Sequence, residues 1–344
     1  MRVGASPEGL FERLALTLNL APKPLVDTQV AFNAARAIMS AAKLGIFEAL
    51  GRGQKRAVEV AESCATDPRA TEQLLNCLVG IGYARYARGR YAMPRRLRKW
   101  LVRGSRTSLV DKLAFQIFEW DYMQKLDEFV RTGRPIDLHA VASPEEWRAY
   151  QDGMRDLSAG RSREVARKLP VPPGATRLLD IGGSHGLYSI ELCKRHPKLR
   201  ATILELPGAI DRASQIAARE GLGDRVAHRS GNALTDELGD DWDVVFISNV
   251  VHHFTARENR RLAERVHRAL RPRGLYVVGE LLRASAPGDG GAVAATSDLY
   301  FALTSASGCW SAAEIGSWMS AAGFKVRRPI KYLVPGYQTI LGRK

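Results

Sequence analysis

The amino-acid sequence predicts an α/β protein with a doubly wound, mostly parallel sheet in its carboxyl-terminal half and a mainly helical amino-terminal part. Three observations support this fold class. Residues 177–207 have the pattern strand, glycine turn, helix and strand. Further short apolar runs alternate with amphipathic helical runs towards the carboxyl terminus. Residues 28–50, 109–130 and 145–169, by contrast, have apolar side chains at helical spacing.

The segment at residues 177–207 carries the strongest signal for a ligand site. Its first run, RLLDI, is short and apolar, as expected of a buried parallel strand. Gly182, Gly183 and Gly186 follow in a turn that a Cβ would obstruct, so a ligand can lie against bare backbone. Glu205 ends the next strand about 20 residues further on, where a carboxylate can accept both hydroxyls of a ribose. The spacing favours a nucleoside-bearing ligand over an empty turn.

The residue before the glycines indicates which kind of nucleoside this is. The dinucleotide fingerprint G-x-G-x-x-G seats a pyrophosphate, but here Asp180 precedes the turn and would repel one. A carboxylate tolerates a cationic ligand. The run DIGGSHG followed by ILELP resembles motif I and the next strand of the class I S-adenosylmethionine-dependent methyltransferases. More narrowly, the chain resembles the small-molecule O-methyltransferases of plants (caffeate type) and bacteria (hydroxyneurosporene type) over residues 28–343.

This resemblance implies a Rossmann-like methyltransferase domain, with a mixed seven-stranded sheet and helices on both faces, after a winged-helix dimerisation domain. We divide the chain into an arm (1–24), the dimerisation domain (25–108), a helical linker and substrate roof (109–170) and the catalytic domain (171–344). It further implies a homodimer that uses S-adenosylmethionine to methylate a hydroxyl of a small aromatic or polyketide-like metabolite. The implied cofactor contacts are Asp180, Gly182, Gly183, Gly186, Glu205, Leu206, Gly231, Asn232, Ala233 and Ser248.

The end of the fourth predicted strand, SNVVHHF, holds the candidate base. A phenol has a pKa near 10 and is mostly protonated at neutral pH, so a base within hydrogen-bond reach aids its attack. The family pattern His-Asp-Trp aligns the base with His252, whereas His253, in the place of the Asp, is expected to be structural. Glu280 matches one of two family acids that flank the base, and the second falls near Ala312, which has no carboxylate. This departure leaves open a relative that binds the cofactor but decarboxylates or hydroxylates its substrate.

The resemblance also implies substrate contacts from distant segments. Tyr150 and Met154 fit the family's aromatic-x-x-x-Met signature, whose Met lies near the transferred methyl. Packing alone is the other interpretation of a helical Met. The full set of implied substrate contacts is Met154, Phe118, Trp120, Asp298 and Ser305.

The net charge of +15 raises the question of a polyanionic partner. Nine Lys or Arg residues and no acid fall between residues 85 and 106, on a predicted hairpin and the following loop. The two interpretations are a nucleic-acid patch and a solvated face near a subunit interface. We favour the second, because the helix that would read bases begins ATEQLLNCL and is nearly neutral. The strand ends also lack the Asn/Asp-Pro-Pro-aromatic signature of nucleic-acid methyltransferases, so we expect no nucleic-acid partner.

Composition argues against several kinds of protein: disulfide-bonded, metal-binding, membrane-spanning and secreted ones. The four cysteines have no C-x-x-C spacing and no paired histidines, so we expect neither disulfides nor a metal site. No apolar run approaches the roughly 18 residues of a membrane span. The amino terminus has acids and no continuous apolar stretch, which does not fit a secretory signal. The expected location is cytoplasmic.

Overall fold

The computed structural model describes residues 7, 9–18, 20, 22–138 and 142–344. The chain folds as two compact units, Met1–Trp120 and Asp121–Lys344. Each helix in the described part of the chain is too short or too polar to cross a membrane.

The first unit is mainly helical, and its core lies between short helices. Ile46, Phe47, Leu75 and Leu78 are fully buried there. The helices are α1 (Leu10–Thr17), α2 (Ala31–Lys43), α3 (Ile46–Gly51), α4 (Ala57–Cys64), α5 (Pro68–Gly80), α6 (Arg98–Leu101) and α7 (Val110–Met123). A short turn of helix, Lys23–Leu25, and a π-helical segment, Val26–Val30, precede α2. The prediction of one helix over residues 28–50 is wrong, because Gly45 adopts a left-handed φ of +79° and separates α2 from α3.

The predicted hairpin is present in the first unit, and a capped helix start precedes it. Strands β1 (Arg85–Ala87) and β2 (Arg90–Ala92) pair antiparallel. Arg88 and Gly89 connect them with φ values of +50° and +73°, as a two-residue hairpin turn requires. At the start of α5 the Asp67 carboxylate accepts a hydrogen bond from the Ala70 amide at 2.8 Å, which is a helix N-cap.

The second unit is the predicted α/β domain. It begins with α8 (Leu126–Thr132) and α9 (Pro144–Lys168). The alternating part comprises β3 (Arg177–Ile181), α10 (Leu187–Arg195), β4 (Arg200–Glu205), α11 (Ile210–Ala218), β5 (Val226–Ser230), β6 (Trp242–Ser248), α12 (Ala256–Ala269) and β7 (Leu270–Leu281). The last elements are α13 (Gly291–Thr304), α14 (Ala312–Ala321), β8 (Lys325–Lys331) and β9 (Tyr337–Arg343).

These strands form the predicted mixed seven-stranded sheet in the order β5-β4-β3-β6-β7-β9-β8. β9 is antiparallel to both β7 and β8, and the other neighbours are parallel. The connections from β3 run outward in both directions, so the topological switch point lies between β3 and β6. Ligands of such sheets bind at the carboxyl ends of these strands.

Apolar layers cover both faces of the sheet, which explains the continuous apolar runs of its strands. On one face Leu179 and Ile247 pack with Leu262 of α12. On the other face Leu178 and Phe246 pack with residues of α9 and α10. The fold class predicted from the sequence is therefore confirmed.

Candidate active site

The turn after β3 needs glycine at positions 182, 183 and 186. Gly182 and Gly186 have left-handed φ values of +65° and +72°. A Cβ on Gly183 would lie 2.5 Å from the carboxyl carbon of Asp180, and one on Gly182 would lie 2.7 Å from Val250. The turn thus presents bare backbone beside two strand ends, as the sequence predicts.

Glu205 is tied to this turn through both carboxylate oxygens. Oε2 accepts a hydrogen bond from the Ser184 amide at 2.9 Å, and Oε1 accepts one from the Leu206 amide at 2.8 Å. Burial raises the pKa of Glu205, and the two amide donors oppose that rise. Each carboxylate oxygen can accept a further hydrogen bond, so the group can take two vicinal hydroxyls of a ribose.

Asp180 lies fully buried under the turn. The Ser189 hydroxyl donates to its Oδ2 at 2.6 Å. Burial raises the pKa of Asp180 to about 7, with a further rise from the Glu205 charge and a lowering from the Ser189 hydrogen bond. A carboxyl group poised in this range suits the cationic end of a ligand. No sequence pattern indicated Ser189, which the first turn of α10 brings to Asp180.

Two histidines that the sequence did not single out form hydrogen bonds at the turn. One, His185, belongs to the turn itself, and the other, His228, lies on β5. His185 Nδ1 accepts from the Leu187 amide at 3.1 Å, so its proton lies on Nε2, 3.1 Å from the Ser158 hydroxyl. Burial lowers the pKa of His185 to about 3. His228 Nε2 donates to the Ser184 carbonyl at 2.8 Å, and burial lowers its pKa too. The only hint in the sequence was a histidine between the glycines.

The neutral state of His185 predicts a measurable pH dependence of stability. Below about pH 6.5 the unfolded chain gains a proton at this histidine, while the folded chain stays neutral down to about pH 3. Its contribution to the free energy of unfolding therefore falls by about 1.4 kcal/mol per pH unit on acidification. We expect His185→Gln, whose amide can make the same two hydrogen bonds, to lose this slope.

Urea unfolding of both proteins between pH 4 and 6 measures the difference. Asp180, whose raised pKa makes the fold less stable as pH rises through the same window, contributes equally to both proteins and cancels. Parallel stability curves for the two proteins would show that His185 is not held neutral.

The candidate base lies in a short 3₁₀ turn, Val251–His253, directly after β6. His252 and Glu280 are both buried, and His252 Nδ1 lies 3.0 Å from Glu280 Oε1. Since a carboxylate only accepts, Nδ1 carries the proton and Nε2 keeps its lone pair. The Phe301 ring of α13 stacks on the imidazole at 4.0 Å between centroids. The contact with Glu280 and the Phe301 ring hold the imidazole of His252 in one orientation, in which Nε2 can take a proton.

Hydrogen bonds from two other elements support this turn. The Val251 carbonyl accepts from Asn259 Nδ2 and from Trp310 Nε1, each at 3.0 Å. The Asn249 amide donates to the Gly279 carbonyl at 2.9 Å, which joins the turn to β7 next to Glu280. The carboxyl ends of β6 and β7 thus determine where the imidazole lies.

Among the described residues, no counterpart of the second family acid is bonded to His252. Glu314, two residues beyond Ala312, accepts from the Ser311 amide at 2.9 Å as part of a helix cap and pairs with Arg283 at 2.8 Å. In the described part of the chain, Glu280 is the carboxylate bonded to His252, and its Oε2 is buried without a hydrogen-bond partner.

The other predicted polar residues lie near these groups or in structural contacts. His253 Nδ1 lies 3.0 Å from the buried Ser305 hydroxyl, and its ring is 4.1 Å from that of His252. Asp298 Oδ1 accepts from the backbone amide of Cys309 at 2.9 Å. Ser305 is therefore joined to the histidine pair, whereas Asp298 holds the chain after α13.

The residues predicted to surround the adenine and methionine ends of the cofactor have structural partners as well. Asn232 Oδ1 accepts from the Leu234 amide at 2.9 Å, and Ala233 belongs to the core on one sheet face. The Ser248 hydroxyl lies 2.8 Å from that of Tyr337, a β9 residue that the sequence did not indicate. The Gly231 amide donates to the Glu205 carbonyl at 2.9 Å, so the segment that starts at Gly231 lies beside Glu205.

The predicted substrate contacts divide between the two units. The Met154 backbone carbonyl raises the pKa of His185, against the larger effect of burial, and so lies beside the glycine turn. Phe118 and Trp120 belong to the first unit, where the Trp120 ring contacts that of Phe32 at 4.6 Å. A substrate role for Phe118 and Trp120 stays a prediction. Within the described ranges, no group of three His, Cys, Asp or Glu residues could hold a metal ion.

Comparison with known proteins places this geometry in a family. The O-methyltransferase domain matches residues 127–325, and the O-methyltransferase dimerisation domain matches residues 26–95. The chain is 25% identical to 3-hydroxy-5-methyl-1-naphthoate 3-O-methyltransferase of Streptomyces sahachiroi, over 92% of this chain and 93% of that protein. It is 28% identical to the tetracenomycin polyketide synthesis 8-O-methyl transferase TcmO of Streptomyces glaucescens, over 94% of this chain and 97% of that protein.

A solved structure shows the same fold. Human N-acetylserotonin methyltransferase in complex with SAM superimposes with a TM-score of 0.82 at 22% identity, covering 99% of each chain. The glycine turn, the buried Asp180 and the Glu205 carboxylate beside the turn suit S-adenosylmethionine. The chain belongs to the O-methyltransferase family, and the predicted enzyme class and its cofactor, S-adenosylmethionine, are thereby confirmed.

Proposed function

We propose that the protein methylates a hydroxyl group of a small aromatic or polyketide-like metabolite, with His252 as general base. The observation that carries the proposal is the buried contact between His252 and Glu280 at the carboxyl ends of β6 and β7. Parallel sheets of this kind gather their ligands at that edge.

The base answers the main difficulty of the reaction. A phenol or enol hydroxyl is protonated at neutral pH and attacks poorly, so its proton has to leave as the new bond forms. With Nδ1 bonded to Glu280, His252 presents Nε2 to the acceptor hydroxyl. Glu280 then stabilises the imidazolium that results, because its negative charge lies within hydrogen-bond distance in a buried setting.

Phe301 and the turn contacts keep the base in place. The stacked ring restricts rotation of the imidazole plane and excludes water from one of its faces. The hydrogen bonds to the Val251 carbonyl fix the backbone one residue earlier. Holding a base at one angle and distance lowers the entropic part of the barrier.

Residues around the glycine turn would hold the cofactor. Bound S-adenosylmethionine supplies an electrophilic methyl group on a sulfonium that is already a good leaving group. Glu205 would bind the ribose hydroxyls, and the Asp180 charge under the turn would favour the cationic end of the cofactor. We also assign contacts to Asn232 and Ser248 at the neighbouring strand ends, and we place Met154 near the transferred methyl.

The acceptor class is supported by the relatives and by the residues around the base. The relatives' names describe methylation of a hydroxynaphthoate and of a tetracenomycin polyketide. Next to His252 the chain offers the Phe301 ring and the Ser305 hydroxyl, which reaches the neighbouring His253. A ring for apolar contact and a hydroxyl for polar contact suit a planar, oxygenated acceptor.

We further propose that the enzyme is a homodimer. The chain has a dimerisation domain at residues 26–95, and the helices in and before it expose large apolar side chains. Phe11 is 90% exposed, and Leu10, Leu25, Val30 and Phe32 are more than half exposed. Covering such side chains is favourable and calls for a second copy of the surface.

The experiment that tests the function uses purified protein, S-adenosylmethionine and a panel of phenols, naphthols and polyketide aromatics. Mass spectrometry should find products that have gained one methyl group, and the demethylated cofactor should appear in equal amount. Products that gain an oxygen or lose carbon dioxide would instead favour the hydroxylating or decarboxylating alternative. No calorimetric binding of S-adenosylmethionine at millimolar concentration would reject both kinds of enzyme.

A further inference from the structure

A pocket on the hairpin of β1 and β2 is lined by a cluster of positive charges that methyl transfer does not explain. Its volume is about 460 Å³, and its lining comes from the first unit alone. Four arginines dominate the lining, with one amide and three apolar side chains beside them: Arg85, Arg90, Arg95, Arg96, Gln54, Ala87, Ala92 and Met93. We call this cavity the arginine pocket.

The hairpin, residues 85–92 with the sequence RYARGRYA, lines one side of the arginine pocket. In the antiparallel register Arg85 lies opposite Ala92, and Ala87 lies opposite Arg90, so these four side chains share one face. The alternate position, Tyr91, is buried in the core of the first unit. Each arginine therefore faces an alanine, which leaves open space between the two guanidinium groups.

The positive charge of the arginine pocket is largely uncompensated. Arg90 lies 3.3 Å from Glu59, but Arg85, Arg95 and Arg96 form no ion pair with any described residue. A guanidinium group cannot shed its proton at physiological pH, so the mutual repulsion cannot be relieved by titration. A concave surface concentrates the resulting positive potential. The four arginines are exposed, so water screens part of their repulsion, and an anion in the cavity would lower it further.

The size and chemistry of the arginine pocket define the ligand class. A volume of 460 Å³ lies within the range of small-molecule sites, and a lone phosphate would fill only a small part of it. The planar donor forks of arginine match phosphate oxygens in pairs. We propose that the arginine pocket binds a small molecule with two or more linked phosphates, of the nucleoside triphosphate type, whose organic part contacts Met93.

The test uses the full-length protein with ATP as the probe and inorganic tripolyphosphate as the second ligand. Calorimetry should show saturable binding of one ATP per chain in the micromolar range, which weakens as salt is added. The double variant Arg95→Ala/Arg96→Ala should bind ATP at least about tenfold more weakly, since it loses two charged phosphate donors.

A matched control removes the same charge from outside the arginine pocket. Arg98→Ala/Arg106→Ala takes away two exposed arginines of the same basic segment that do not line the cavity. It should change ATP affinity by less than about twofold, because exposed charges at a distance are screened. Thermal melting adds an independent readout, as ATP should raise the Tm of the parent protein and not that of Arg95→Ala/Arg96→Ala.

Three results would overturn the proposal. One is the absence of saturable binding of ATP and tripolyphosphate up to millimolar concentration. Another is equal weakening by both double variants, which would mean a diffuse basic surface. The third is tighter binding of duplex DNA than of ATP, with both variants and added salt lowering it alike, as expected of a nucleic-acid backbone contact.

Discussion

Replacing His252 with alanine is expected to lower the rate of methyl transfer by about 10²–10⁴-fold at neutral pH, while cofactor affinity stays within about twofold. The change removes the nitrogen that takes the acceptor proton, and it leaves the glycine turn and Glu205 untouched. Turnover of the methylated product and calorimetric binding of S-adenosylmethionine are the two measurements. The loss should shrink as the acceptor becomes more acidic, because such an acceptor needs the base less.

Glu280→Gln is the matched variant for this experiment. It keeps the shape of the side chain and an oxygen that can accept from His252 Nδ1, but it removes the negative charge. Without that charge the imidazolium that forms during the reaction is less stabilised, so the maximal rate should fall. If His252→Ala keeps the parental rate with a weakly acidic acceptor, another group is the base or none is needed.

Gly183→Ala is expected to abolish measurable cofactor binding and to destabilise the second unit by about 1–3 kcal/mol. The new Cβ would lie 2.5 Å from the carboxyl carbon of Asp180, which is buried and held by Ser189, so neither group can move away freely. Calorimetry with S-adenosylmethionine and thermal melting measure the two effects.

Two further variants separate the clash from a general effect of adding a methyl group. Gly160→Ala lies in α9, where a Cβ meets nothing within 4 Å, and it should stabilise the fold by about 0.5–1 kcal/mol. Gly183→Ala/Asp180→Ala removes the clashing carboxyl group and should recover stability relative to Gly183→Ala. Full cofactor affinity in Gly183→Ala would show that the turn relaxes and that its glycine is not required.

The sequence predicted those parts of the site that follow from local geometry and strand order. Gly182, Gly183 and Gly186 stand out because no other residue fits the turn, and Glu205 stands out because it ends the neighbouring strand. The proximity of His252 and Glu280 follows from the pairing of β6 with β7, which brings their carboxyl ends to one edge. Strand order explains why these residues lie at one edge of the sheet. The choice of His252 and Glu280 among the residues there came from the family resemblance.

The remaining contacts depend on elements that are distant along the chain. Tyr337 reaches Ser248 only because β9 inserts beside β7, and Phe301 reaches His252 only because α13 packs beside the turn after β6. Sequence periodicity does not determine such placements, since it sets which face of a helix is apolar and not where the helix lies. The break at Gly45 was not predicted for another reason, because apolar residues recur at helical spacing on both sides of it.

The two imidazoles that hold the glycine turn have a consequence for acid tolerance. Burial disfavours the charged forms of His185 and His228 and so lowers the pKa of both in the folded domain. The two histidines therefore take up protons mainly when the domain unfolds. We expect the near-ultraviolet and the helical far-ultraviolet circular-dichroism signals to vanish together in a single acid transition.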